Sequence, residues 1–441
     1  MTCKSVACYY KEKVHSVRWD IFRVLMTMQK GEYNMNKPTG TKRLQLALLL
    51  GSLGLLGPFT IDMYLPSFPT IVEDYETTAS LVQISLTTCL LGLGLGQLFI
   101  GPMSDVLGRR KPLLIFLIMY LIASIICAFA PSIYLFIVGR FLQGFAAAGG
   151  LVISRAIVRD IYSGRELTKF FSLLMLVGNL GPIVAPIVGG GVLTFTDWNG
   201  VFIVLAVVGL VLFLTITFNL EESLPVEKRV PSNLAQILKN FGSLFKNREF
   251  LGYALTQGFI IAGIFAYVSG IPFVYQNIYG VSPQIFSLLF GVNGLALIIG
   301  TQSVGRLSDI IPEKTFLKLG LFLSTTAGAC LLAALLLKAS LLAVAIPIFF
   351  LVCSIGIIST TSFALAIEAQ GHIAGSASAL LGLLPFVLGS LTSPLVGLAG
   401  EYSAIPMGVV ILSTSLLALL SYFSLVRRAS LRVQTAKKYS G

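Results

Sequence analysis

The chain has 441 residues, 56% of them hydrophobic and only 11% charged. Soluble proteins carry about 25% charged residues, so the composition excludes an ordinary soluble domain and indicates a polytopic membrane protein. The net charge of +12 could suggest nucleic acid as a partner, but its placement along the chain excludes that reading, as shown below.

Residues 1–43 form a polar, basic arm with nine Lys and Arg. No apolar core followed by a small-residue cleavage site marks a signal peptide there. Met35 lies nine residues before the first apolar run. It is one candidate for the true start, with 1–34 an untranslated extension; a genuine arm is the other. Four of the six cysteines, Cys89, Cys127, Cys330 and Cys353, lie within apolar runs, and no disulfide framework is evident.

Twelve runs follow that can each supply the ~20 apolar residues of a spanning helix. They fall near 44–68, 79–101, 112–130, 133–157, 167–194, 200–219, 250–276, 283–304, 315–337, 340–366, 373–399 and 403–426. The expected fold is an all-α membrane protein with two six-helix lobes, 44–219 and 250–426. A linker over 220–249 joins them and a basic tail, 427–441, follows. In the linker, Leu234, Ile237, Leu238, Phe241 and Leu244 have an amphipathic rhythm. This predicts a helix lying on the inner membrane surface; a solvated linker is the alternative.

Cytoplasmic loops of membrane proteins are rich in Lys and Arg. With the N-terminus inside, all 31 Lys and Arg except Arg140 and Lys338 fall on the cytoplasmic side. Glu73, Asp74, Glu76, Asp197 and Glu401 fall outside. Both termini are therefore expected in the cytoplasm, and the positive charge is topological, with the lipid bilayer as the partner and no nucleic acid.

The halves repeat. Gly101-Pro-Met-Ser-Asp105 recurs as Gly305-Arg-Leu-Ser-Asp309, 204 residues on, and Ala185-Pro-Ile-Val-Gly189 recurs as Ser393-Pro-Leu-Val-Gly397. Parallel repeats of this kind imply a two-lobed transporter with a cavity between the lobes.

Asp62 is a carboxylate near the end of the first apolar run, where a charge costs at least ~2.5–3.5 kcal/mol. Arg140, in the fourth run, is the other deeply placed charge. Asp62 lies six residues before the outer end of its helix and Arg140 seven after the start of its own. At ~1.5 Å per residue both lie roughly 10 Å below the outer surface. The expectation is a pair in which burial opposes and Arg140 supports the charge on Asp62, so that a proton can bind and leave. A permanent ion pair fixing two helices is the alternative.

The loop Gly101-Pro-Met-Ser-Asp-Val-Leu-Gly-Arg-Arg-Lys111 needs Gly101 and Gly108 for a tight reversal, and Arg109, Arg110 and Lys111 to anchor it at an anionic surface. Asp105 can clasp the positive N-terminal end of helix 11, and Asp309 that of helix 5, holding the cytoplasmic side shut. A simple cap and anchor is the alternative. Arg155 and Arg159 share a face of helix 4 and could pair with Asp105 or Asp160, or reach lipid headgroups. In helix 5, Gly181, Pro182, Pro186, Gly189 and Gly190 permit close packing and bending. Tyr64, Gln143, Asn179, Gln257, Tyr267, Tyr275 and Asn293 are candidate cavity residues. No metal constellation, nucleotide loop or nucleophile–base set appears, so an enzyme is not expected and no cofactor is needed beyond protons.

The loop resembles the signature Gly-x-x-x-Asp-x-x-Gly-Arg-Arg/Lys of the major facilitator superfamily, over about 44–426. Thr60-Ile-Asp-Met-Tyr-Leu-Pro66, Ser154-Arg-Ala-Ile-Val-Arg-Asp160 and Ala374-Gly-Ser-Ala-Ser-Ala-Leu-Leu-Gly382 are similar to its Bcr/CflA branch of drug:proton antiporters. The resemblance implies export, from the bacterial inner membrane and by a monomer, of small compounds such as bicyclomycin and chloramphenicol. It also implies a proton-transfer role for the helix-4 arginine and an antiporter motif in helix 5. Three positions depart from the branch: Asn199 where Arg follows Trp, Ser359-Thr-Thr-Ser362 where Pro-Asn is common, and Pro385 where Gln is usual. The last two lie in the C-terminal lobe and leave substrate identity open. A metabolite symporter or facilitator of this fold, or a membrane sensor or scaffold without transport, are the rival functions.

Overall fold

The computed structural model describes residues 40–229, 234–368, 370 and 374–427. The expectations for residues 1–39 and the tail from 428 lie outside the described residues, as does the side chain of Asn179. The described residues form helices and no strand. The long helices are α1 (Gly40–Asp62), α2 (Ala79–Leu107), α3 (Arg110–Ala128), α4 (Ile133–Ile161), α5 (Gly164–Val192) and α6 (Trp198–Asn219). After the linker come α7 (Arg248–Phe273), α8 (Pro283–Leu307), α9 (Glu313–Leu336), α10 (Leu341–Glu368), α11 (Ala374–Val396) and α12 (Ile405–Ser421). Among the described residues eleven helices are long and apolar enough to cross a bilayer. The remaining one, α5, has its described apolar stretch at Leu180–Val192.

Helices α1–α6 pack chiefly on one another, and so do α7–α12. Between the groups, α2 packs on α11 and α5 on α8, which is the pairing a parallel repeat produces. The repeat extends to packing. Gly96 on α2 and Gly300 on α8 stand 204 residues apart, the offset of the loop motif. A Cβ at Gly96 would press on Ala148 and the Phe145 carbonyl of α4, and one at Gly300 would collide with the Cys353 carbonyl of α10. Each lobe thus brings two helices to backbone contact through glycine.

Local chemistry sets the helix ends. Ser132 starts α4 by accepting from the Leu135 N–H, and Asn247 starts α7 by accepting from Glu249 and Phe250, each at 3.1 Å. Helix α1 stops at Asp62 because Pro66 has no N–H for the Asp62 carbonyl; a short 3₁₀ turn (Leu65–Ser67) and a helix (Phe68–Asp74) carry the chain on.

The linker helix runs Leu234–Lys246. Phe241 and Leu244 are buried among Phe250, Leu317 and Leu365 of the C-terminal lobe, and Asn240 donates to Ser376 of α11 at 3.1 Å. At these two positions the apolar stripe of the linker helix is covered by the C-terminal lobe. The other end of the linker, Glu222 and Ser223, is bound to the N-terminal lobe.

Two ends of the molecule can be told apart. One carries the Arg109–Lys111 loop and the linker, and is called here the basic end; the other, with Glu73, Asp74, Asp197 and Glu401, is the acidic end. Among the described residues three hydrogen bonds join the lobes, all near the acidic end. Gln276 donates to the Pro66 carbonyl (3.1 Å), Gln83 to the Ser269 carbonyl (3.1 Å) and Ser80 to the Gly397 carbonyl (2.9 Å). The rings of Phe68 and Phe273 meet there, 5.8 Å between centroids. The acidic end is the sealed one.

Candidate functional site

The break after Asp62 creates the site. The last carbonyls of a helix lack internal partners and carry its negative dipole end. Arg140 of α4 reaches one of them, donating from Nη2 to the Thr60 carbonyl at 2.7 Å. Its Nη1 donates to Gln143 Oε1. Its guanidinium lies over the Tyr64 ring, 4.0 Å from the centroid, an attractive cation–π placement. Arg140, Tyr64, Thr60 and Gln143 are fully buried.

The expected Asp62–Arg140 ion pair is therefore absent: no salt bridge joins them. Depth along two helices was estimated well enough to place both residues in one region. Residue counting does not give the direction of a side chain around its helix, and the arginine turns to the α1 carbonyl and to Tyr64. Asp62 is itself buried, at 6% exposure, and lies within electrostatic reach of Tyr267 in the other lobe.

Helix α5 approaches the break closely. A Cβ at Gly189 would collide with the Met63 carbonyl, one at Gly181 would strike Pro58, and one at Gly190 would strike Ser287 of α8. Helix α5 is continuous through Pro182 and Pro186. The motif thus packs α5 on α1 and across to the other lobe.

At the basic end, Gly101 to Lys111 form a compact charged knot. Gly108 has φ +89°, and a Cβ there would strike the Glu222 carboxylate. Arg109 donates from Nη1 to Asp105 (2.5 Å) and Ser104 (2.8 Å), and from Nε to Asp160 of α4 (2.9 Å). Burial opposes the charge on Arg109, but the hydrogen bonds to Asp160 and Asp105 outweigh it and hold the guanidinium above its ordinary range. Glu222 accepts from the Arg109 N–H (2.7 Å) and the Arg110 N–H (3.2 Å), capping α3, while Ser223 donates to Asp160 (3.0 Å). Arg110 donates to the Thr217 carbonyl near the end of α6 (2.6 Å).

The expected clasp is not formed in this arrangement. Asp105 pairs with Arg109 inside its own lobe, and Asp309 is exposed in the turn after α8. This agrees with the seal being at the other end. Arg155 and Arg159 form no ion pair among the described residues; Arg109 takes the Asp160 carboxylate instead.

The cavity candidates divide. Gln143 and Tyr64 belong to the packed surroundings of Arg140. Tyr267 accepts from Asn293 at 2.8 Å and stacks on Phe290, 5.5 Å between centroids. Gln257 Oε1 and the Tyr275 hydroxyl are buried without a partner, so both keep hydrogen-bonding capacity in hand. A separate cleft of about 1240 Å³ lies between the basic-end halves of α1 and α6, lined by Gln45, Ser52, Phe59, Val211 and Asn219, and contains neither Asp62 nor Arg140. Among the described residues no group of three His, Cys, Asp or Glu could hold a metal.

Sequence reasoning missed Thr60, Tyr120, Ser124, Glu222 and Gln276. Tyr120 and Ser124 carried a signal, two hydroxyls four residues apart on one face of an apolar helix. Glu222 read only as one of several linker charges.

The Major Facilitator Superfamily model matches residues 50–394. The chain belongs to that superfamily. It is 53% identical over 395 residues to the uncharacterised MFS-type transporter YdgK of Bacillus subtilis, covering 89% of this chain and 98% of that one. It is 34% identical over 381 residues to the bicyclomycin resistance protein homolog of Haemophilus influenzae, covering 86% and 96%. Among solved structures it superposes on a bacterial homologue of the human lysosomal transporter Spinster, inward-facing and unoccupied. The TM-score is 0.69 at 14% identity, over 88% of this chain and 98% of that one. As a member of the superfamily the chain is a multi-pass membrane transporter and not an enzyme.

Proposed function

We propose that this transporter exports small amphipathic compounds in exchange for protons, as a monomer in the bacterial inner membrane, with the basic end in the cytoplasm. The observation that carries this is Asp62, a buried carboxyl without a cationic partner, set in the helix break at the seam of the two lobes. A charge in that place is costly, and its carriage of a proton removes the cost. The relative named for bicyclomycin resistance supports the substrate class. The basic loops support the orientation. The sealed acidic end then makes this an inward-facing arrangement, in which a compound enters from the cytoplasm and the proton on Asp62 leaves.

Asp62→Asn tests it. In proteoliposomes with an imposed pH gradient, wild-type protein is expected to move chloramphenicol against its concentration, and the variant to lose at least ~100-fold of that gradient-driven flux, about 2.7 kcal/mol of coupling. Gradient-driven flux that persists in the variant would point to a facilitator instead.

A further inference from the structure

The reach of Arg140 is decided on a third helix. Gln143 Nε2 donates to Ser124 Oγ of α3 at 2.8 Å, and Ser124 Oγ donates to the Tyr120 carbonyl at 2.7 Å. The direction of donation along this path is fixed. The Ser124 hydrogen is spent on a carbonyl, so its oxygen accepts from the amide NH₂ of Gln143. The Gln143 carbonyl oxygen is then the group left to receive Arg140.

The second path closes the ring. Thr60 Oγ1 donates to the Leu56 carbonyl at 2.5 Å, so it has no hydrogen for Tyr120. The Tyr120 hydroxyl, 2.9 Å away, therefore donates to Thr60. Thr60 is the residue whose carbonyl takes Arg140. Helix α3 thus binds the side chains of both residues whose carbonyl oxygens take the arginine: the Tyr120 hydroxyl fixes Thr60 through its Oγ1, and Ser124 fixes Gln143 through its amide. Tyr120, Ser124, Thr60, Gln143 and Arg140 all have 0% exposure.

We infer that Tyr120 and Ser124 are positioning residues that hold Arg140 on the carbonyl end of α1 and so keep it from Asp62. The inference rests on the proton-coupling role proposed for Asp62. Burial makes the restraint effective. Arg140 already has its Nε without a partner, so a further lost acceptor leaves a buried cation seeking another. The Asp62 carboxyl, two residues beyond Thr60, is the unpaired acceptor at the same helix end. Other titratable groups near the two residues are Tyr64 in the break after α1, Cys89 of α2, Cys127 of α3 and, from the opposite lobe, Tyr267. All four are uncharged when protonated, so Asp62 is the group beside them that can offer the guanidinium a full negative charge. Helix α6 presents the Phe202 ring, 5.5 Å from the guanidinium.

The test is an infrared pH titration of the Asp62 carboxyl in the full chain, reconstituted in lipid without added substrate. The Asp62→Asn difference spectrum identifies the band. Tyr120→Phe and Ser124→Ala each remove one hydroxyl with little change in shape. If they release Arg140 toward Asp62, the ionised carboxylate gains a cation. The midpoint then falls by about one pH unit, a tenfold loss of proton affinity. Ser124→Thr keeps the hydroxyl and should keep the wild-type midpoint. Unchanged midpoints in both Tyr120→Phe and Ser124→Ala would overturn the inference while leaving the role of Asp62 standing. A wild-type spectrum without a titrating Asp62 band would overturn the proton-coupling role itself, and the inference with it.

Discussion

Glu222 joins two parts of the chain that are far apart in sequence, and it does so with both carboxylate oxygens. They take the N–H groups of Arg109 and Arg110, the unpaired donors at the start of α3. The positive φ of Gly108 brings the loop against that carboxylate. Glu222→Ala leaves those donors without a protein partner and should cost about 1–3 kcal/mol. Thermal melting in detergent measures it: a lowered transition, with Glu222→Gln in between, is the expected order, and equal melting of all three would remove Glu222 from the account. At this scale the sequence was only partly legible. Asp62, Arg140 and the loop acids stood out because charges are rare in apolar runs. Their partners did not, because a partner is chosen by rotation around the helix axis and by backbone carbonyls that any residue supplies. Thr60 holds Arg140 through a main-chain oxygen, and no side-chain pattern announces that.

Helices were the most readable level, since apolar length alone marks a spanning segment. The run predicted at 44–68 shows where this stops. It is one stretch of hydrophobicity but two pieces of structure, divided by the missing N–H of Pro66. The linker helix gives a second case. Its amphipathic rhythm was plain, while the protein contact made by Phe241 and Leu244 was not, because a stripe of Leu and Phe suits lipid and protein equally. Leu244 has 0% exposure against the C-terminal lobe. Leu244→Ala should cost about 2–5 kcal/mol of that packing and expose the linker, so that trypsin cleaves faster after Lys239 and Lys246 in lipid-reconstituted protein. Cleavage at the wild-type rate would mean that the helix is held by something other than this contact.

At the scale of the whole molecule, the repeat foretold two lobes, and the structure adds that they meet through α2 with α11 and α5 with α8. It did not foretell which end is closed. That choice depends on small balances between alternative contacts: Asp105 with its own loop rather than the opposite lobe, and Gln276 with Pro66 across the seam. Sequence encodes both arrangements at once, since a transporter must adopt each in turn.

The lone guanidinium of Arg140 has an electrical consequence. When Asp62 carries a proton, the site holds one uncompensated positive charge inside the bilayer. With the acidic end sealed, the membrane voltage falls mainly across that seal, and Arg140 stands near the potential of the basic end. A voltage negative on that side draws the charge there and favours this arrangement, by up to about 2.3 kcal/mol per 100 mV. The transporter is therefore expected to sense voltage as well as pH. In vesicles with a potassium diffusion potential, energy transfer between dyes on the two lobes at the basic end should fall as that side is made negative. Arg140→Gln should lose this response, and a response that survives the substitution would locate the sensing charge elsewhere.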